Sequence, residues 1–384
     1  MEAGAAAGEC RVLIRLTIPS IEQDDLDAVC EVLRSGYLVQ GPRAAQFEEV
    51  VAKYVGTQHA VAVANGTAAL HLALLSLGVG QGDRVAVTAY SWPATANVIV
   101  LCGAEPLFID VDPATYNLCP LDLQRKLSTI PVKAVLPVHA HGGMADMREI
   151  IRIGQELDVP IIEDAACALG SSLDGRMAGT WGRLGCFSFH PRKAITTGEG
   201  GMVTTNDASL AHKVRVLRNH GLDPTAPAPD FIAAGFNLRM TDFQAALGIS
   251  QLNKLERIIA KRQTAAARYD RLLLNGEMRP PMALEGSRHV YQSYTALLPV
   301  KAAARKTDII SSLRSLGIET SIGTYHMPLT TYFRNTRGFG TGDFPSTDDV
   351  ASRAISLPLY EAITEEEQEE VVGALTEVIR EIQE

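Results

Sequence analysis

From about residue 20 the chain alternates short, continuously apolar runs with helical stretches, and this alternation limits the folds open to it. The runs His59 to Ala64, Arg84 to Thr88, Pro106 to Asp110, Ala134 to His139, Pro160 to Asp164, Cys186 to Phe189 and Gly201 to Thr205 read as strands. A strand with one wet face alternates polar and apolar residues. These mostly do not, so both faces are covered, as in a parallel sheet between layers of helix. The pattern therefore predicts an α/β fold around a mostly parallel central sheet. Ligands of such sheets sit beyond the carboxyl ends of the strands, where Asn65, Asp164 and the residues around Ser188 fall.

The stretch IEQDDLDAVCEVLRSG predicts a helix capped by Ser20, with Gln23 three residues on completing a capping box. A long helix is expected from Asp242 through DFQAALGISQLNKLERIIAKRQTAAARYDRLL, leading out of the sheet-bearing part. At 384 residues the chain exceeds the usual single domain. The expected division is a mobile tail at 1–10, a large α/β domain at 11–255 and a small C-terminal α+β domain at 256–384.

Lysine and arginine number 35 against 44 aspartates and glutamates, a net charge of −9, which argues against a nucleic-acid partner. The six cysteines are dispersed, with no CxxC pair, and read as thiols of a reducing compartment, so a cytoplasmic location is expected. The N-terminal residues lack the basic and apolar regions of a signal peptide, and no apolar run is long enough to predict a membrane span.

Two of the strands carry chemistry at their ends. VPIIEDAAC closes on Asp164, and GCFSFHPRKAITTGEGG delivers Lys193 into a turn that ends in Gly198, Gly200 and Gly201. Pyridoxal phosphate needs both residue types: an amine to form a Schiff base with its aldehyde, and a carboxylate to keep its ring nitrogen protonated. The plain alternative is a salt-bridged surface lysine and a strand-capping acid.

Three further segments bear on that reading. In ANGTAALHLALLSLG, the residues Gly66, Thr67 and Ala68 open an apolar helix, and their backbone N–H groups could cradle a phosphate; a simple N-cap by Asn65 or Thr67 explains the same residues. Trp92, in TAYSWPATAN after a strand, suits stacking on a flat ring or packing in a core. His139 and His141 stand two apart without a third ligand cluster, so they read as structural and no metal is expected.

Together ANGTAALHLAL, SWPATAN, IIEDAACALGS, GCFSFHPRKAITTGEGGMVTTND and GFNLRMTDFQAALG resemble the DegT/DnrJ/EryC1/StrS sugar aminotransferases, of fold type I among the pyridoxal-phosphate enzymes. The resemblance runs from SGYLVQGP to SLPLYEAIT. It implies that Lys193 carries the cofactor as a Schiff base, Asp164 pairs with the ring nitrogen, Trp92 stacks on the ring, and Thr67, Ala68 and Ser188 meet the phosphate. Asn237 matches an asparagine that reaches the phosphate from a neighbouring subunit, which implies a homodimer with shared sites. Arg239 matches the arginine of the same segment and is a substrate-binding candidate. Cys167 stands where relatives often carry glutamine or histidine against the cofactor's phenolic oxygen, and a thiol is a poorer hydrogen-bond donor there.

The implied reaction moves an amino group from L-glutamate, or L-glutamine, through pyridoxamine phosphate to a small-molecule acceptor. That acceptor is a keto sugar, most often a nucleotide-linked 4-keto-6-deoxy or 3-keto hexose, with a cyclitol ketone as the alternative. Related sugar dehydratases carry histidine in place of the lysine, so Lys193 speaks against them, and the intact Lys193, Asp164 and glycine turn speak against a regulatory relative. The run SIGTYHMPLTTYF is the expected wall of the sugar pocket, with Tyr325 and His326 as its polar groups.

Overall fold

The computed structural model describes residues 13–274 and 276–383, the side chain of Gln383 excepted, so the expected tail at 1–10 lies outside the described residues. Seven strands build the centre: β1 (His59–Val63), β2 (Arg84–Thr88), β3 (Glu105–Ile109), β4 (Ala134–Leu136), β5 (Ile162–Asp164), β6 (Leu184–Ser188) and β7 (Gly201–Thr205). Each falls within a few residues of the run that predicts it. Their order across the sheet is β3-β2-β4-β5-β6-β7-β1, with the junction of β4 and β5 made by the parallel bridges Val135–Ile161 and Val138–Asp164.

The sheet is mixed, since β7 runs antiparallel to both β6 and β1 while the other pairings are parallel. The tight glycine turn explains the reversal: it returns the chain from β6 to β7 with no crossover helix, and adjacent antiparallel strands need none. Strand residues are buried on both faces, and two separate apolar clusters flank the sheet. Ala62, Ala86, Val135 and Phe187 belong to one; Val61, Val87, Leu136 and Cys186 belong to the other. Continuous apolar sequence thus reports two covered faces rather than one.

The first described helix, Gln23–Ser35, begins two residues later than the sequence predicts. Glu22 rather than Ser20 caps it, with its amide donating to Asp25 Oδ2 at 2.9 Å. Ser20 is held short of the helix because its carbonyl accepts from Gln251 Nε2 at 2.6 Å. The long helix spans Asp242–Leu273 as predicted. Its first half, at Ala245, Leu255 and Ile259, packs on the large core; its second half, at Ala266, Tyr269 and Leu273, packs on a cluster built from the C-terminal part. Residue 255 therefore lies inside one continuous helix.

A three-stranded sheet of Tyr294–Leu297, Ala354–Leu357 and Ser321–Ile322 forms the centre of that C-terminal part. The segment at Ile14 joins it too, by a bridge to Ile318 and through the Leu16 carbonyl, which accepts from the Leu359 amide at 3.0 Å. The described residues Ile14 and Leu16 thus pack with residues beyond 256, not with the large part that the sequence division assigns them to. No helix among the described residues is long and apolar enough to cross a membrane.

Candidate active site

Beyond the carboxyl ends of β5 and β6 lies a cavity of about 520 Å³. Gly66, Thr67 and Ser188 line one end of it, Asp164, Cys167 and Lys193 its floor, and Trp92 and Tyr325 its mouth. The loop that carries Lys193 is tied down at both ends: Phe189 N–H donates to the Gly200 carbonyl at 2.8 Å, and Thr197 N–H donates to the Phe189 carbonyl at 2.9 Å. Lys193 N–H donates to the His190 carbonyl at 2.8 Å, and Lys193 Nζ donates to Cys167 Sγ at 3.1 Å.

Asp164 is 4% exposed. Thr95 Oγ1 donates to its Oδ2 at 2.8 Å and the Ala166 amide to its Oδ1 at 3.2 Å. Burial raises its pKa above the ordinary carboxylate value, against the pull of the Thr95 hydroxyl, the Ala166 amide and the Lys193 charge. A buried carboxylate in this condition lacks a cationic donor, and a protonated pyridine nitrogen is one.

Behind the floor, Glu163 is fully buried and accepts four hydrogen bonds. Oε1 takes the amides of Trp181 and Gly182, both at 2.7 Å. Oε2 takes the Gly179 amide and His139 Nε2, both at 2.9 Å. The Ala145 amide donates to His139 Nδ1 at 3.1 Å, which fixes the proton on Nε2. Both ring nitrogens of His139 are therefore committed to structure.

At the other end the helix Gly66–Ser76 begins directly after β1, and Asn65 caps it by accepting from the Ala68 amide at 2.8 Å. A Cβ on Gly66 would stand 2.8 Å from Ser188 Cβ, so only glycine lets the helix start approach β6 this closely. The result is a row of N–H groups and a hydroxyl facing one hollow, with the positive end of the helix behind them. Amine, buried carboxylate and anion cradle fit pyridoxal phosphate: Lys193 would hold its aldehyde carbon, Asp164 its ring nitrogen, and Gly66, Thr67 and Ser188 its phosphate.

Four sequence-predicted residues stand outside this cavity. Ala68 does not line it, and its amide is committed to the Asn65 cap, so the alternative N-cap reading holds for that residue. His326 turns away: its Nε2 bonds Asp348 Oδ1 at 3.0 Å and its ring meets Phe344 edge-on. Alternation along the strand Tyr325–His326 explains this, since neighbours point to opposite faces. Asn237 and Arg239 bind each other, Arg239 Nε donating to Asn237 Oδ1 at 3.0 Å, and neither lines the cavity of its own chain.

Sequence reasoning missed Thr95 and Gln292, which give no local signal. It singled out His141 without a task; His141 lines the cavity, its Nε2 has no hydrogen-bond partner, and burial together with the Lys193 charge lowers its pKa to about 4. Trp92, 56% exposed, meets Tyr325 edge-on at 5.4 Å rather than sitting in a core.

A lysine and a buried aspartate that meet in one cavity of such a fold suit a pyridoxal-phosphate-dependent enzyme. The profile of the DegT/DnrJ/EryC1/StrS aminotransferase family matches residues 19–376, and the chain belongs to that family. It is 36% identical to a GDP-perosamine synthase of Caulobacter vibrioides over 370 residues, 95% of this chain and 98% of that protein. It also superposes on PseC of Helicobacter pylori, an aminotransferase involved in the biosynthesis of pseudoaminic acid, with a TM-score of 0.91 at 28% identity, over 96% of this chain and 100% of that one. The PLP-form of Spr1654 from Streptococcus pneumoniae gives a TM-score of 0.91 at 26% identity, over 96% and 99% of the two chains.

Proposed function

We propose that the chain moves an amino group from L-glutamate, or L-glutamine, to the ketone of a sugar, with nucleotide-linked 4-keto-6-deoxy or 3-keto hexoses as the acceptor class. The observation that carries this reading is that Lys193 and the buried Asp164 share one cavity with the Gly66–Ser188 cradle. When bound, pyridoxal phosphate supplies a carbonyl for the amine and an electron-withdrawing ring for the carbon that loses its proton.

The chain's own residues do the rest. Asp164 holds a proton on the ring nitrogen, and Thr95 keeps Asp164 ionised for that task. Lys193 Nζ takes the proton from the donor's α-carbon and, in the second half-reaction, delivers one to the former keto carbon of the acceptor. Cys167 receives Lys193 Nζ at rest. Trp92 and Tyr325 close the mouth and limit water.

We take the fold as fold type I and the chain as a larger unit to about residue 255 and a smaller one from 256. The segment at Ile14 packs with the smaller unit, and the helix Asp242–Leu273 runs across the boundary. The working unit in this reading is a homodimer in which Asn237 serves the neighbour's phosphate cradle. Its place outside its own cavity, beside the exposed Phe231, Ile232 and Phe236, supports that role. The setting is the cytoplasm.

The test is spectroscopic. Protein loaded with pyridoxal phosphate should show a visible band that L-glutamate removes and that one member of a panel of keto sugars restores. Lys193→Ala should show neither the band nor repeated turnover. A wild-type band that glutamate and glutamine both leave unchanged would refute the aminotransferase reading.

A further inference from the structure

Lys193 sits near the tip of the connection between β6 and β7, and the backbone there has few holds. The Lys193 amide donates to the His190 carbonyl at 2.8 Å and the Arg192 amide to His190 Nδ1 at 3.2 Å, both within the tip itself. Farther along, the long helix grips the connection: the Thr196 amide donates to Gln251 Oε1 at 3.3 Å, and Gln244 Nε2 to the Glu199 carbonyl at 2.7 Å. Among the described residues, one hydrogen bond reaches the backbone of 190–193 from a distant part of the chain. Gln292 Nε2 donates to the Arg192 carbonyl at 2.9 Å.

That carbonyl and the Lys193 N–H belong to one planar peptide group. With the N–H bound to His190 and the carbonyl to Gln292, the plane is fixed at both ends, and with it the direction in which Lys193 leaves the backbone. The stem of a lysine is long and flexible, so Nζ inherits any tilt of that plane. Gln292 has one orientation that serves both its partners: its Oε1 accepts from Ser293 Oγ at 3.1 Å, which leaves Nε2 for the carbonyl.

Gln292 is itself held. Arg262, on the long helix, is 2% exposed, and one of its nitrogens donates to the carbonyls of Tyr291 at 3.2 Å, Gln292 at 3.0 Å and Leu359 at 3.4 Å. Burial lowers its pKa to about 10, so it stays charged at neutral pH, and bonds from a charged donor are the stronger kind. On the other side Gly142, at φ +93°, approaches so closely that a Cβ there would stand 2.9 Å from the Gln292 nitrogen.

We infer that Gln292 is a positioning residue for the amine of Lys193: it reaches across from the C-terminal part to fix the peptide group before Lys193, and Arg262 fixes Gln292 in turn. The inference rests on Lys193 being the reacting amine of the aminotransferase reading. Gln292 also lines the cavity, so the rival role is direct contact with substrate. The two roles differ in what they change. A positioning residue alters how fast Nζ reacts, including with pyridoxal phosphate when no substrate is present, whereas a substrate contact alters half-saturation.

The experiment compares wild type with Gln292→Met, which keeps the length and loses the donor, Gln292→Glu, which keeps the shape and turns an acceptor to the carbonyl, and Gln292→His, whose ring can donate again. Gln263→Met is the control, because Gln263 Nε2 holds the His289 carbonyl of the same segment at 3.0 Å and does not reach the Lys193 loop. Unloaded protein is mixed with pyridoxal phosphate, and the appearance of the visible band gives the rate of capture. The loaded protein then gives the limiting rate and half-saturation of the L-glutamate half-reaction in single turnovers.

The methionine and glutamate variants should slow both capture and the limiting rate by roughly 3- to 10-fold, with half-saturation within about twofold of wild type. The histidine variant should recover most of both rates, and the control should match wild type. Capture and limiting rates equal to wild type in both the methionine and the glutamate variant overturn the inference. So does a change confined to half-saturation, which would make Gln292 a substrate contact. A wild type that captures the cofactor but takes no amino group from any donor refutes the aminotransferase reading instead, and the capture rates then decide the positioning role by themselves.

Discussion

Replacing Thr95 by valine tests how the chain keeps Asp164 ionised. The hydroxyl donates to Asp164 Oδ2 at 2.8 Å in a fully buried setting, and Ser91 Oγ lies 3.1 Å from the same hydroxyl. Valine keeps the shape of threonine, so the change removes a donor without opening a cavity. A hydrogen bond to a charged group contributes about 1.5–3 kcal/mol, and burial means that water does not take its place. At about 1.4 kcal/mol per factor of ten, losing it corresponds to a roughly 10- to 100-fold loss of the ionised carboxylate relative to the neutral one.

The Thr95 bond lowers the pKa of Asp164 against the upward pull of burial, so its removal sends that pKa higher. A carboxyl that holds its own proton no longer holds one on the ring nitrogen. The loaded Thr95→Val enzyme should therefore run the glutamate half-reaction about 10-fold or more slowly near neutral pH, with the acid limb of its rate profile moved to higher pH. Single-turnover absorbance across pH reads both effects. Thr95→Ser, which keeps the hydroxyl, should recover most of the rate. A valine variant within about twofold of wild type at every pH would refute the assignment of Thr95 as the residue that positions and charges Asp164.

Glu163→Ala should cost about 3–5 kcal/mol of stability, because it strands three amides and His139 in a dry interior; a loss under about 1 kcal/mol by urea denaturation would show that the network is replaceable. Burial raises the Asp164 pKa above its unfolded value, so the stability this group contributes falls as pH rises through the folded value. Unloaded Asp164→Asn should accordingly melt above unloaded wild type at neutral pH, while the loaded variant loses turnover; equal or lower melting would contradict this. Lys193→Ala and Asn237→Ala subunits, each inactive alone, should recover up to about a quarter of wild-type activity when mixed into dimers at equal amounts. Verified mixed dimers without activity would rule out a site shared through Asn237.

The strands were legible because burial on both faces leaves unbroken apolar sequence, and the meeting of Lys193 and Asp164 in one cavity because each ends or follows a strand whose carboxyl end borders it. What the sequence hides is orientation. Tyr325 and His326 look alike as polar candidates, yet a two-residue strand sends one to the cavity and the other to Asp348. Ser20 has the right chemistry to cap the first helix but is claimed by Gln251, which lies 231 residues away in the chain. Thr95 and Gln292 matter only through partners at long range, Asp164 and the Arg192 carbonyl, and no local pattern marks either.

The cavity is walled from two parts of the chain. Asp164 and Ser188 end strands of the central sheet, Gly66 opens the helix that follows β1, and Lys193 stands on the loop between β6 and β7. The facing wall comes from the C-terminal part, where Tyr325–His326 pairs with Tyr90–Ser91, the Tyr90 hydroxyl accepts from the Thr324 amide at 3.0 Å, and Gln292 Nε2 holds the Arg192 carbonyl at 2.9 Å. These are backbone-anchored contacts, so a side chain such as Tyr325 can change without loosening the wall. Substitutions there should alter which sugar fits, while the proton transfers proposed for Lys193 depend on the opposite side of the cavity and on the loop that Gln292 holds. Changes at Tyr325 should therefore alter acceptor choice far more than the rate of the glutamate half-reaction, as single-turnover absorbance with each substrate would show.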